Sequence, residues 1–198
     1  ANIEITPLKY RIYQTKYETV KALSNEEIKI LYNSVEHLFS RLTMKEAEPR
    51  KAVAMLVLDL CYGLGLRRSE AYHLEIKNID FNHKLAHIVQ GKNYKDRFVP
   101  INDTILKRLE LFIYQYRRHF KVNHNRLFPL KEGSLAQYLV KTIKHSELEN
   151  KNISLHTLRH SIATHLLSNG MSVEQIAKFL GHSSLESTQI YTHLINDK

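Results

Sequence analysis

Apolar positions recur at helical spacing along most of the chain. In "LSNEEIKILYNSV", residues 23–35, Ile28, Leu31 and Val35 fall on one face of a helix. Ser24 stands at its start with Glu27 three residues on, a reciprocal cap in which each side chain takes the other's backbone N–H. A second helix is predicted over roughly 46–62, stopping at Gly63 and Gly65. A third is predicted to begin at Ser69, with Glu70 in the first turn, where the helix dipole favours a carboxylate. The period then shortens. "KLAHIVQG" and "RFVPI" read as short strands joined by the Lys-bearing turn "KNYKD", the hairpin of a small sheet. "NDTILKRLELFIYQYRRHF" and "SLAQYLVKTIKHSEL" return to helical spacing. The last third predicts three helical pieces: 157–169 closed by Gly170, 173–180 closed by Gly181, and 184–194. Ser172 and Gln175 form a second reciprocal cap, and both glycines suit left-handed positions after a helix. Residues 1–20 look extended and polar. The expectation is a mainly α fold with a small antiparallel β-sheet (α+β), as one domain over 21–198 behind a linker or arm of 1–20.

Composition narrows the class. The 198 residues are 43% hydrophobic with only 6 Gly and 4 Pro, which fits a folded, helix-rich protein with a real core. The longest apolar stretch, "AVAMLVLDLCYGLGL", is broken by Asp59 and is too short for a membrane span. The single Cys61 sits in an apolar helical pattern. It can form no internal disulfide, suggests a reducing cytosolic setting, and reads as a small buried hydrophobe. A net charge of +9 favours a polyanionic partner, most often nucleic acid.

Candidate chemistry starts at "HTLRHSIATHLLSNG", residues 156–170. His156 and His160 have the spacing of two zinc ligands on one helix face. Thr157 stands where a zinc protease helix needs Glu, and Arg159 on the same face would repel a cation. At about 100° per residue, Leu158, Ile162 and Leu166 form one stripe, and His156, Arg159 and His160 a separate polar arc. In "GLRRSEAYHL", Arg67 lies between a Gly-ended helix and a newly started one, a natural anion site. "GHSSLESTQIYTHL" adds His182 and, nine residues later, Tyr191. With Lys92 in the turn, this set suits phosphoryl transfer without a metal. Two Arg can hold the nonbridging oxygens, a Tyr relieved of its proton can attack, and a Lys or His can protonate the leaving oxygen.

Four ordered blocks, "GLRRSE", "GKNYKDRFVPI", "HTLRHSIATHLL" and "LGHSSLESTQIYTH", make the sequence over about residues 21–195 resemble the catalytic domain of the tyrosine recombinases, the phage-integrase, Cre and Xer family. The resemblance implies that fold. It implies that Arg67 and Arg159 hold the scissile phosphate, and that Tyr191 forms a 3′-phosphotyrosyl link and frees a 5′-hydroxyl. Lys92 corresponds to the general acid, with Lys95 in the same turn as the fallback. His156 is implied to exchange a proton with the tyrosine, and His182 to hydrogen-bond the phosphate. Glu70 matches the acidic residue that supports the site from behind, and His160 a structural support; His165 and His193 are left as structural. No cofactor, metal or ATP is implied. The implied partner is double-stranded DNA bearing a recombination site, with self-association as a tetramer on it, no membrane, and a cytoplasmic, nucleoid-associated location.

Family members usually carry a helical N-terminal domain that closes around DNA. It is expected to be absent here, and a start at Ala1 with an end shortly after Tyr191 reads as a catalytic fragment or a minimal member. Such a domain should bind DNA with strong salt dependence. Two rivals remain. A non-enzymatic helix-turn-helix regulator would explain "SVEQIAKFLGHSSLESTQIY" but leave Arg67, Lys92 and His156 unused. A type IB topoisomerase would share the tyrosine and basic residues but relax DNA.

Overall fold

The computed structural model describes residues 22–89, 96–120, 124–131 and 133–181. Helix α1, Asn25–Ser34, begins with the expected reciprocal cap: Ser24 Oγ accepts from the Glu27 N–H at 3.2 Å, and Glu27 Oε2 accepts from the Ser24 N–H at 2.8 Å. Helix α2, Met44–Leu58, follows Thr43 and runs through the middle of the core, with Val53, Ala54, Leu56, Val57 and Leu58 all buried. It widens into a π-type turn, Asp59–Gly63, in which Cys61 is fully buried; burial pushes its thiol up to about 12, so it packs as a small hydrophobe.

Helix α3, Arg68–His73, starts one residue earlier than the sequence suggested. Ser69 is not its cap. Arg67 takes that position, and its backbone N–H is held by Glu70 Oε2 at 2.8 Å. Three strands follow in a sheet of order β1-β2-β3, antiparallel throughout: β1 Ile79–Asp80, β2 Leu85–Ile88 and β3 Arg97–Pro100. The β2 and β3 runs match the expected hairpin; the two-residue β1 carries too little pattern to be read from sequence. In β2 and β3, Ala86, Ile88, Arg97 and Val99 point into the core, while His87 and Phe98 stack at 4.8 Å on the outer face.

Helix α4, Asp103–Leu111, is capped by Asn102 and continues through a π-type turn and a 3-10 turn to His119. Helix α5, Ser134–Lys144, packs on α2. Helix α6, Leu155–Ser168, is capped by Ser154, and α7, Val173–Leu180, by the Ser172–Gln175 pair. Gly170 and Gly181 take the expected left-handed conformations, φ +88° and +66°. A main core spans α1 to the start of α6, and a smaller one of Ala163, Ile176 and Leu180 joins α6 to α7. Among the described residues no helix is long and apolar enough to cross a membrane.

Helix α6 departs from the two-sided pattern expected of it. Arg159 and Ser161 are buried, and Ile162 and Leu166 only partly so. The helix is enclosed around most of its girth because its polar side chains are spent on backbone. Ser161 Oγ accepts from the Leu23 N–H and donates to Thr157 O, both at 2.8 Å. His165 Nε2 donates to Leu23 O at 2.8 Å, which leaves Nδ1 to accept from the Tyr62 hydroxyl at 2.9 Å. Both polar groups of the Leu23 peptide are thus held by α6, which fixes where the chain enters the domain. Ser161→Ala leaves the buried Leu23 N–H without an acceptor. It should lower stability by about 1–3 kcal/mol, read as a lower urea midpoint at unchanged slope.

Candidate active site

The break between the π-type turn and α3 brings "GLR" against the end of α7. Gly65 has φ +60°, and a Cβ there would lie 2.8 Å from Leu180 Cδ2 and 2.9 Å from Phe179 Cε1. Only glycine lets the backbone approach this closely in this conformation. The approach lets Arg159 reach across: Nη1 donates to Gly65 O at 2.6 Å and Nη2 to Leu180 O at 2.7 Å. Arg159 is 3% exposed, so its charge sits inside the protein, held by carbonyl dipoles.

Glu70 is the carboxylate beside it. Its side chain is 7% exposed, in the first turn of α3. Oε1 accepts from Arg67 Nη1 at 2.7 Å, and Arg159 Nη1 lies 3.6 Å from Oε2. Arg67 also donates from Nη2 to Gly181 O at 2.9 Å. The structure therefore brings Arg67, Glu70 and Arg159 together, as sequence reasoning grouped them.

Sequence reasoning missed Arg97. In β3 it is 8% exposed, and its fork takes both Glu70 oxygens, Nη1 to Oε1 at 2.9 Å and Nη2 to Oε2 at 2.8 Å. Its Nε donates to Phe179 O at 3.0 Å. Strand parity could have found it: in "RFVPI", Arg97 shares the inward side with Val99. Three arginines thus bind three successive carbonyls, Phe179, Leu180 and Gly181, at the negative end of α7. Three guanidiniums share one carboxylate, so the cluster is a positive centre built for an anion.

His156, at the start of α6, is exposed. Loss of solvent around the ring, then the Arg159 and Arg67 charges, hold it below its ordinary value. At neutral pH it is uncharged and can accept a proton. His160 is part-buried, and its carbonyl accepts from Thr164 Oγ1 at 3.1 Å. Among the described residues no three His, Cys, Asp or Glu side chains gather as a metal site. The nearest carboxylate to the α6 arginine, Glu70, is already committed to guanidiniums. Lys92, Lys95, His182, Tyr191 and His193, the turn between the strands and the 184–194 helix all lie outside the described residues, as does the 1–20 arm. His182 and the segment bearing Tyr191 follow directly on Gly181, the carbonyl that Arg67 holds.

Residues 21–197 match the phage integrase family. The tyrosine recombinase XerA of Pyrococcus horikoshii is 33% identical over 178 residues, covering 87% of this chain and 56% of the relative. The chain spans about half the length of the curated relatives it matches. Among solved structures, the XerA recombinase superposes with a TM-score of 0.73 at 24% identity, covering 87% of this chain and 60% of that one. The XerH recombinase, bound to a palindromic difH substrate in a post-cleavage complex, gives 0.72 at 25% identity over 88% of this chain and 50% of that one.

The cluster sets a pH dependence. Burial alone would raise the Glu70 carboxyl, but the Arg97 bonds and charge, then the Arg67 backbone and side-chain bonds, outweigh it and hold the group at about 2 against an ordinary 4.5. A carboxyl depressed on folding stabilises the fold fully above its unfolded value and loses that contribution as pH falls from about 4.5 toward 2. The contribution is roughly 3 kcal/mol at about 1.4 kcal/mol per unit. Urea midpoints of the intact chain should fall across this window. Glu70→Gln should be destabilised at pH 7 and show a flatter acid limb.

Proposed function

The chain belongs to the phage integrase family, and from that premise we propose that it is the DNA-cleaving domain of a site-specific tyrosine recombinase. The observation that carries the reading is the buried Glu70 carrying Arg67 and Arg159 at the end of α7, with the uncharged His156 feeling both charges. Arg67 and Arg159 take the nonbridging oxygens of the scissile phosphate and stabilise the charge that grows there. The Tyr191 oxygen attacks phosphorus, its proton passing to His156, and the bond from phosphorus to the 5′ oxygen breaks. Lys92 supplies the proton that makes the 5′-hydroxyl, and His182 donates a hydrogen bond to the phosphate. Phosphate ester replaces phosphate ester, so the step balances with neither water nor nucleotide. A 5′-hydroxyl from another strand reverses it onto a new partner.

The substrate in this reading is duplex DNA carrying a recombination site. Support comes from the +9 charge and from the likeness to a recombinase solved on its DNA. Exchange between two duplexes cuts four strands with one tyrosine each, which calls for a tetramer on DNA. Glu70 and His160 act from behind the site. The work is done in the cytoplasm, at the nucleoid.

Tyr191→Phe tests the reading. It should retain DNA binding, with affinity falling steeply as salt rises, and form no denaturation-resistant adduct with a nicked suicide duplex that traps the wild-type chain. A persistent adduct in that variant contradicts the assignment.

A further inference from the structure

We propose that Arg97 is a positioning residue for strand cleavage: it holds Glu70 from the far side so that Arg67 and Arg159 remain turned toward the scissile phosphate. The inference rests on the recombinase reading above. Arg97 is 8% exposed and points into the core from β3. All three of its bonding nitrogens are spent inside the protein, two on Glu70 and one on Phe179 O.

A buried charge is a poor way to fill space, since an apolar side chain of the same length avoids the loss of hydration. What an apolar side chain cannot do is satisfy the second half of Glu70. Without Arg97, both carboxylate oxygens would be left to Arg67 and Arg159. Arg67 already bonds Oε1 at 2.7 Å, and Arg159 lies 3.6 Å from Oε2. A carboxylate left with only the Arg67 backbone N–H besides them would draw both inward and offset the charge they present to a phosphate. Arg97 also stands at the root of the β2–β3 hairpin, five residues after Lys92 in the chain, and ties that strand to the end of α7. One guanidinium thus links the strand that follows the general-acid turn, the carboxylate behind the phosphate arginines, and the helix that leads to Tyr191.

The test uses the full 198-residue chain and a pool of nicked duplexes with a randomised core. Adducts recovered from the pool under denaturing conditions identify a cleavable duplex. Adduct formation by the wild-type chain tests the recombinase reading on its own. If none forms, that reading and this inference fail together. On the recovered duplex, Arg97→Met should slow adduct formation on the order of 100-fold, with DNA affinity and its salt dependence unchanged. On the same duplex with a neutral methylphosphonate at the scissile position, the loss should be roughly tenfold smaller, because less charge remains for the arginines to stabilise. Arg97→Lys keeps the buried charge without the fork and should show a partial loss while folding normally. In a Glu70→Gln background, replacing Arg97 should add little, since its partner is gone. Additive losses in that background, equal losses on the two substrates, or a loss that merely follows the unfolded fraction would each overturn the proposal.

Discussion

Glu70 is one carboxylate among three guanidiniums, and the arrangement of four elements depends on it. Arg67 comes from the start of α3, Arg97 from β3, Arg159 from α6, and each also bonds one of the carbonyls of Phe179, Leu180 and Gly181 at the end of α7, Arg159 reaching Gly65 O as well. Enclosure makes the interaction strong and also makes it obligatory. A buried charge stripped of its partner costs several kcal/mol, so each member constrains the others. The close approach at Gly65 belongs to the same constraint, because Arg159 must reach a carbonyl on each side of it.

The same constraint explains how a stable interior can hold three guanidiniums around one carboxylate. The arginines are fixed by carbonyl dipoles rather than by a matching set of acids, so the centre keeps an excess of positive charge. Electrostatic stabilisation is most effective when the charges are in place before the reaction, without reorganisation at the moment it occurs. His156 beside this field is held neutral, which is the state a proton acceptor needs. The helix whose end collects the arginines leads straight into the segment with His182 and Tyr191.

Local rules made much of the fold legible. The caps at Ser24 and Ser172, the left-handed Gly170 and Gly181, and the hairpin runs are each set by a few neighbouring residues. The first turn of α3 was misplaced by one residue because a guanidinium-bearing residue, rather than a serine, takes the cap. The α6 pattern misled for a different reason. Hydrophobic periodicity separates apolar from polar, but Arg159, Ser161 and His165 are polar groups paired inside the protein, with Gly65, Leu23 and Tyr62. Such pairing is long-range and leaves no periodic trace. Arg97 was hidden in the same way: its strand parity was readable, but that an inward arginine would meet Glu70 was set by tertiary packing.

The central claim is that Glu70 is ionised and shared. A carbon-detected NMR titration of its side-chain carboxyl, in the intact chain without DNA, tests this directly. The resonance should keep its carboxylate position on acidification well below pH 4.5 and move with a midpoint near 2. A midpoint at or above the ordinary 4.5 would contradict the account.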